Sequence, residues 1–230
     1  MSILIVAATE LEITPFIELD LPVDILITGV GAPATIYHLQ KKLQEKKYKS
    51  VIQAGIAGTF TSSLALGDTV IVESDCFADI GINEKGVFTY IFDTNLANKN
   101  VFPYIDGWLA NDKLVKEKVP LPLVKAITIN TISDSILQKN ILLQKFGAQI
   151  ETMEGAALHF VCLQEKVNFL QLRSISNEVG ERDKSKWKMH EAITNLNKEL
   201  VKLLGWKGWR LLKMDEDSLD SLEGLGCWTV

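Results

Sequence analysis

Arginine is nearly missing from this chain: Arg173, Arg182 and Arg210 are the only ones in 230 residues, and none precedes position 173. A guanidinium is the side chain that forks onto phosphate oxygens, so no early loop carries that grip. Cysteine is sparse as well. Cys76, Cys162 and Cys227 are odd in number, far apart and outside any Cys-x-x-Cys, which excludes a disulfide framework and predicts free thiols of a reducing compartment. His38, His159 and His190 are equally scattered, so no metal is expected. A formal charge of −5 and a pI near 5.3, with no basic run interleaved with aromatics, argue against nucleic acid as a partner. Small molecules are the expected partners instead. No apolar stretch reaches membrane-spanning length. The apolar run 3–8 lacks a basic flank and meets Glu10 and Glu12 at once, so it is not expected to be a signal peptide. A cytoplasmic location follows as the expectation, and no internal repeat is visible.

What the chain does have is enough apolar residues, 47%, for a substantial core in one α/β domain. Short β-branched runs at 3–8, 23–28, 50–54, 68–72, 126–131 and 169–175 predict buried strands. Helical spacing covers 34–47, 136–146, 154–166 and 184–204, the last with Asp183 placed as its N-cap. Strands alternating with helices predict a sheet of parallel character with helices on its faces. Residues 77–108 hold strand-like pieces, glycines and many aromatics, and predict a hairpin followed by a long loop. From 205 to 230 the chain carries Trp206, Trp209 and Trp228 among acidic residues and glycines; this tail is set apart as an appendage, native or introduced by cloning.

Gly29-x-Gly31-x-x-Ala34 follows a strand and opens a helix, which matches the dinucleotide-binding fingerprint. The match is incomplete. The next strand ends in Gln53-Ala54-Gly55 where an acidic residue would bind a ribose hydroxyl, and Pro33 has no amide to offer a pyrophosphate. A tight strand-to-helix turn that needs small residues explains the glycines better.

Thr152-Met153-Glu154-Gly155-Ala156-Ala157 places a carboxylate at a strand-to-helix junction. Such a charge either complements the helix dipole or belongs to a ligand site at the carboxyl end of a sheet. Other strand ends carry Glu12, Gly55-Ile56-Ala57-Gly58 and Arg173-Ser174-Ile175-Ser176-Asn177. In this order, the set resembles the purine nucleoside phosphorylase and nucleosidase superfamily and, within it, the futalosine hydrolases of menaquinone biosynthesis. The most specific pieces are 151–157 and 173–183, the latter extending to Trp187. The resemblance runs to about residue 204. It implies a single three-layer α/β domain over 1–204 with a mixed central sheet flanked by helices, no cofactor, and a homodimer or higher homo-oligomer.

The family's chemistry suits these residue types. Breaking an N-glycosidic bond builds positive charge on the ribose, and water must attack the anomeric carbon. The resemblance implies Glu12 as general base, worth roughly a hundred- to ten-thousand-fold. It implies Glu154 as the acceptor for ribose hydroxyls, Met153 against the sugar face, and Arg173 orienting water and carboxylates. Ala57 and Gly58 would form a backbone wall beside base and sugar, or simply a strand-end turn. Taken singly, the others have plainer readings too: a solvated Glu12 beside Glu10, a core methionine, an ion pair of Arg173 with a nearby acid.

Asn177 bears on the base. Adenine nucleosidases of the family carry an aspartate at the matching position, whereas an amide offers both a donor and an acceptor and can meet O6 and N7 of hypoxanthine together. Asn177 is equally at home in a turn. The missing early arginines point to water, not phosphate, as nucleophile. By resemblance the 5′ side is closed by aromatic and apolar residues, partly from a neighbouring subunit, which would give the 102–108 loop a role. Arg182 either meets a substrate carboxylate there or is solvated charge. The resulting expectation is futalosine hydrolysis to hypoxanthine. A methylthioadenosine/adenosylhomocysteine nucleosidase is disfavoured by Asn177, and a non-catalytic nucleoside- or dinucleotide-sensing module would keep its affinity when Glu12 becomes glutamine.

Overall fold

The structure is a computed structural model that describes residues 2–112 and 121–205. Arg210, Cys227 and the tryptophans of the tail lie outside the described residues, so the division at 205 stays an expectation.

The chain opens with β1 (Ile3–Ala7), α1 (Glu10–Ile17), β2 (Asp24–Ile27), α2 (Ala32–Glu45), β3 (Ser50–Thr59) and β4 (Thr69–Asp75). The hairpin expected within 77–108 is β5 (Gly81–Glu84) and β6 (Val87–Tyr90), and it stands apart from the main sheet. There follow β7 (Leu109–Ala110), β8 (Leu123–Thr128), α3 (Ile136–Phe146), β9 (Ile150–Thr152), α4 (Gly155–Gln164), β10 (Asn168–Glu178) and α5 (Met189–Leu203). The sheet is mixed, in the order β10-β4-β8-β9-β3-β1-β2, and β10 also pairs with β3, which closes a ring of five strands. β1, β2, β3 and β10 pair in parallel, while β4 runs antiparallel to β10 and β9 antiparallel to β3.

Alternation along the strands sorts the core into layers. Ile5, Ile52 and Leu172 pack with Ile13 and Phe16 of α1 and Leu196 and Leu200 of α5 on one face. Leu4, Val6 and Val51 pack with Leu39 of α2 and Leu158 and Val161 of α4 on the other. Inside the ring, Val70, Val72, Ala126, Ile150 and Ile175 form a third cluster. The three-layer α/β expectation therefore holds, with part of its middle layer rolled into a barrel.

Three local readings need correction. β3 does not stop at Ala54 but continues through Gly55 to Gly58, paired with Arg173 to Asn177 of β10. These glycines mark close approach, not a turn: a Cβ on Gly55 would lie 2.3 Å from Arg173 Nη1. β10 likewise runs past Ile175, with a bulge between Ile175 and Asn177, so Asn177 sits in a strand. The last helix starts at Met189, not Lys184. Asp183 instead caps a short 3-10 turn at Lys184–Lys186, accepting from the Ser185 amide, and Lys188 N then donates to Ser176 O, pulling the chain against β10 before α5 begins. Helix α1 is an addition, signalled by Thr9-x-x-Glu12, the spacing of a capping box.

Candidate active site

The carboxyl ends of β1, β3, β9 and β10 surround a cleft that holds Glu12, Ile56, Ala57, Gly58, Glu151, Met153, Glu154, Ser176 and Asn177. Each polar group there is placed by a traceable piece of backbone. Glu12 closes half of the capping box of α1, its Oε2 accepting from the Thr9 amide at 3.1 Å and from the Thr9 hydroxyl at 3.2 Å. Its Oε1 accepts from Ile56 N at 3.1 Å, which ties α1 to β3. Pro15 and the non-helical Ile13 kink α1 directly after Glu12. The bond that a straight helix would make from Phe16 N to Glu12 O is replaced by a side chain of α5. Asn197 Oδ1 accepts from Phe16 N at 3.1 Å, and its Nδ2 donates to Glu12 O at 2.9 Å. Asn197 is buried, and its Nδ2 also donates to Ile193 O of its own helix at 2.7 Å, so the side chain ties the kink to α5.

Arg173 is enclosed beneath the cleft at 1% exposure and does not line it. Its Nη2 donates to Gln53 Oε1 at 2.8 Å, its Nη1 to Ile56 O at 3.3 Å, and Nη1 lies 3.6 Å from Glu154 Oε2. Gly55 makes room for it. The same missing Cβ would stand 2.9 Å from Glu12 Oε1, so guanidinium and Glu12 meet over the bare backbone of β3. Glu154 is the N-cap of α4, and its Oε1 accepts from Gly31 N at 3.0 Å. The glycine turn at Gly29 and Gly31, both at positive φ, thus presents an amide to a protein carboxylate.

Two buried carboxylates over one guanidinium leave the charge unbalanced. Burial pushes the Glu12 carboxyl above the ordinary 4.5, and Glu154 adds to this, against the opposing pull of Arg173 and the Ile56 and Thr9 amides. A carboxylate lifted in this way accepts a proton more readily near neutral pH. Glu151 is also raised by burial, although it accepts from the Ser133 hydroxyl at 2.5 Å and the Ser133 amide at 3.2 Å.

Behind the cleft lies a polar layer that fixes the start of α4. Asp75, fully enclosed, accepts from Thr128 Oγ1 at 3.0 Å and from Gln171 Nε2 at 3.2 Å. Thr128 Oγ1 accepts from Ala156 N at 2.7 Å, and Thr152 Oγ1 from Gly155 N at 3.2 Å. The first amides of α4 are therefore satisfied by threonine hydroxyls from β8 and β9. Gly155 is obligatory at this packing, since its Cβ would lie 2.1 Å from both Asp75 Oδ2 and Gln171 Nε2.

Of the residues singled out from the sequence, Glu12, Ala57, Gly58, Met153, Glu154 and Asn177 border one cleft, with Arg173 as its floor. Glu12 is buried rather than solvated, and the ion pair of Arg173 is with Glu154. Asn177 Oδ1 accepts from Ser176 Oγ at 2.8 Å and Nδ2 donates to Glu178 O at 3.0 Å, which leaves one further hydrogen and one further lone pair on the amide. The 102–108 loop does not border the cleft among the described residues; Phe102 is 61% exposed. Arg182 stacks 5.7 Å from the ring of Trp187, a cleft residue whose Nε1 donates to Glu181 O. Sequence reasoning assigned no role to Val30, Ile132, Glu151, Trp187 or Met189, which also line the cleft. His159 is a core side chain bonded to Leu109 O, and the free thiols Cys76 and Cys162 are buried. Among the described residues there is no cluster of potential metal ligands and no helix long and apolar enough to cross a membrane.

Comparison with known proteins matches residues 4–205 to the family model described as the phosphorylase superfamily. Futalosine hydrolase of Thermus thermophilus is 29% identical over 187 residues, covering 80% of this chain and 81% of that protein. A 5′-methylthioadenosine/S-adenosylhomocysteine nucleosidase of Colwellia psychrerythraea is 27% identical over 192 residues, covering 79% and 78%. The solved structure of futalosine hydrolase from Helicobacter pylori superposes with a TM-score of 0.72 at 19% identity, over 89% of this chain and 97% of that one, and speaks to the fold alone.

Proposed function

This chain belongs to the phosphorylase superfamily, and on that premise we propose that it is a cytoplasmic, cofactor-free nucleosidase that hydrolyses futalosine to hypoxanthine in menaquinone biosynthesis. The observation that carries the reading is the pairing of Glu12 and Glu154 over Arg173, facing Asn177 across one cleft. Glu12, lifted above the usual carboxylate range, takes a proton from the attacking water. Glu154, fixed by Gly31 and the guanidinium, accepts from ribose hydroxyls, with Met153 against the sugar. Ala57 and Gly58 form the wall beside the base.

The remaining hydrogen of Asn177 suits O6 of a 6-oxopurine, and its remaining lone pair suits N7 where N7 carries a hydrogen, as in the departing base. Charge on the departing base is then met by hydrogen bonding rather than by full proton transfer from a carboxyl. Water as nucleophile is supported by the lining itself: among the described residues no lysine or arginine borders the cleft. The relatives named futalosine hydrolase support the substrate.

The similarity to methylthioadenosine/adenosylhomocysteine nucleosidases favours a second reading with an adenine base, whose N7 and 6-amino group an amide also meets, and the greater similarity to the relatives named futalosine hydrolase favours the first. The deciding experiment is base release from futalosine, inosine, methylthioadenosine and adenosylhomocysteine, with and without phosphate, read by chromatography. Hypoxanthine from futalosine, independent of phosphate, is the expected result. Adenine release would overturn the reading of Asn177, and a phosphate requirement would overturn water as nucleophile. Asn177→Asp should abolish release of the 6-oxopurine.

A further inference from the structure

A second group of buried polar side chains lies where α4 packs on β4 and β10, outside the lining of the cleft, and the chemistry assigned to Glu12, Glu154 and Arg173 leaves it unused. Asp75, the last residue of β4, and Gln171 of β10 meet at 3.2 Å directly against Gly155, whose missing Cβ would lie 2.1 Å from both. Gln171 also acts on the ring of His159, in α4. Within this group Gln171 Oε1 and His159 Nε2 have no partner. His159 Nδ1 stands 2.8 Å from Leu109 O, a carbonyl that only accepts, so the ring's hydrogen is on Nδ1 and Nε2 carries a lone pair. Burial lowers His159 to about 4, which keeps the ring neutral near neutral pH. Gln171 Oε1 is an acceptor too, so two buried acceptors lack donors.

A glutamine amide turned by half a revolution exchanges its oxygen and nitrogen with little change of shape. Turned so, Gln171 Nε2 donates to His159 Nε2, while Gln171 Oε1 faces Asp75 Oδ2 and needs a hydrogen from it. One proton on Asp75 supplies that hydrogen. The bonds then run in a single direction, from Asp75 Oδ2–H to Gln171 Oε1, from Gln171 Nε2–H to His159 Nε2, and from His159 Nδ1–H to Leu109 O. The other oxygen of Asp75 accepts from Thr128 Oγ1, which accepts from Ala156 N, so the chain closes on α4 twice, at Ala156 and one turn later at His159. We propose that Asp75, Gln171 and His159 form a one-proton switch that sets the head of α4, the helix that Glu154 caps: protonated Asp75 completes the chain, and ionised Asp75 turns the amide back onto itself and releases His159. Burial raises the Asp75 carboxyl to about 7, which places the turn in the neutral range. The other titratable or charged groups around Asp75 are Arg173 on β10, the adjoining Cys76 and Tyr90 on β6. They keep their charge there, since the guanidinium does not deprotonate and burial pushes the thiol and the phenol up.

The test is NMR of protein labelled at the histidine ring nitrogens, followed through the neutral pH range, with the exposed His38 and His190 changed to glutamine so that His159 is the one ring observed. The hydrogen should stay on Nδ1 throughout, and the Nε2 signal should shift in a single step as Asp75 ionises and the bond from Gln171 is lost. Asp75→Asn, whose amide donates to Gln171 Oε1 at every pH, should hold Nε2 at its acid-side position with no step. Gln171→Met should also show no step, because no amide is there to turn. An Nε2 signal that stays put while Asp75 and Gln171 are both intact would overturn the switch, and that measurement needs no buried variant to fold. A hydrogen on Nε2 would overturn it as well, and so would a step that survives in Gln171→Met, since the ring would then feel only the charge of Asp75. The consequence for catalysis rests on the nucleosidase reading: kcat/KM should fall as Asp75 ionises, and Asp75→Asn should lack that alkaline fall. A fall that persists in Asp75→Asn would overturn the link to Glu154, whereas a protein that releases no base from any nucleoside would sink the nucleosidase reading and leave the step at Nε2 to decide the switch.

Discussion

Replacing Asp75 by asparagine should make the protein's stability depend on pH in a way the wild type conceals. Asp75 has no solvent contact, and burial raises its carboxyl from the ordinary 3.8 to about 7, overcoming the bonds from Thr128 and Gln171 and the attraction of Arg173. A carboxyl raised on folding lends its full stability below pH 3.8, where it is protonated in both states, and loses it as pH climbs towards 7. About three pH units at about 1.4 kcal/mol each come to about 4 kcal/mol. His159 acts in the opposite sense. Burial lowers it from 6.5 to about 4, so its contribution is complete above pH 6.5 and is lost as pH falls towards 4, by about 3 kcal/mol. The two windows overlap and the two groups oppose one another, while Glu12 and Glu151, also raised by burial, act in the same sense as Asp75. Asp75→Asn removes one of them without forcing a clash, because Gln171 Oε1 lacks a partner and the amide can turn to accept from the new side chain. Urea unfolding followed by tryptophan fluorescence, at steps from pH 4 to 8, measures the outcome. The variant's stability relative to wild type should rise by about 4 kcal/mol from the acid to the alkaline end. A difference between the two proteins that does not vary with pH would refute the reasoning.

Glu154→Gln removes the neighbouring charge that helps to raise Glu12, so the acid limb of the kcat/KM profile should move to lower pH while the rate falls; an unmoved limb would mean that Glu12 does not control it. Gly55→Ala forces a methyl group into the guanidinium of Arg173 and towards Glu12, which should cost about 1–3 kcal/mol in thermal denaturation and most of the turnover; full activity would show that the two groups need not meet over this backbone. Asn197→Ala strands the Phe16 amide and the Glu12 carbonyl, about 1–3 kcal/mol for each group left unpaired, and should lower kcat more than it raises KM because Glu12 loses its footing. An Asn197→Ala enzyme with wild-type kcat would leave Asn197 a purely structural residue.

The parts of the fold that the sequence announces are those whose signal is local. Ile3–Ala7 and the parallel strands beside it are short apolar runs, and Thr152-Met153-Glu154-Gly155 declares a strand giving way to a helix. Gly55 and Gly58 misled for a reason that is itself informative: glycine punctuates turns, but here it keeps a strand bare beside Arg173 and Asn177, and only the pairing partner on β10, far away in the chain, reveals which use applies. The same distance hid Asn197 and Asp75. Neither belongs to a motif, because each acts through groups supplied by other elements: Asn197 through a kink in α1, Asp75 through threonines on β8 and β9. Glu151 lies within a quoted motif and still goes unassigned, since its place in the cleft comes from the register of β9 beside Gly58 of β3 and not from its neighbours in sequence. Residue type therefore discloses which chemistry is present, while register decides what that chemistry is aimed at. A carboxylate on β9 displaced by one position would face the opposite side of the sheet, and the cleft would keep Glu12 and Glu154 but lose Glu151 from its lining.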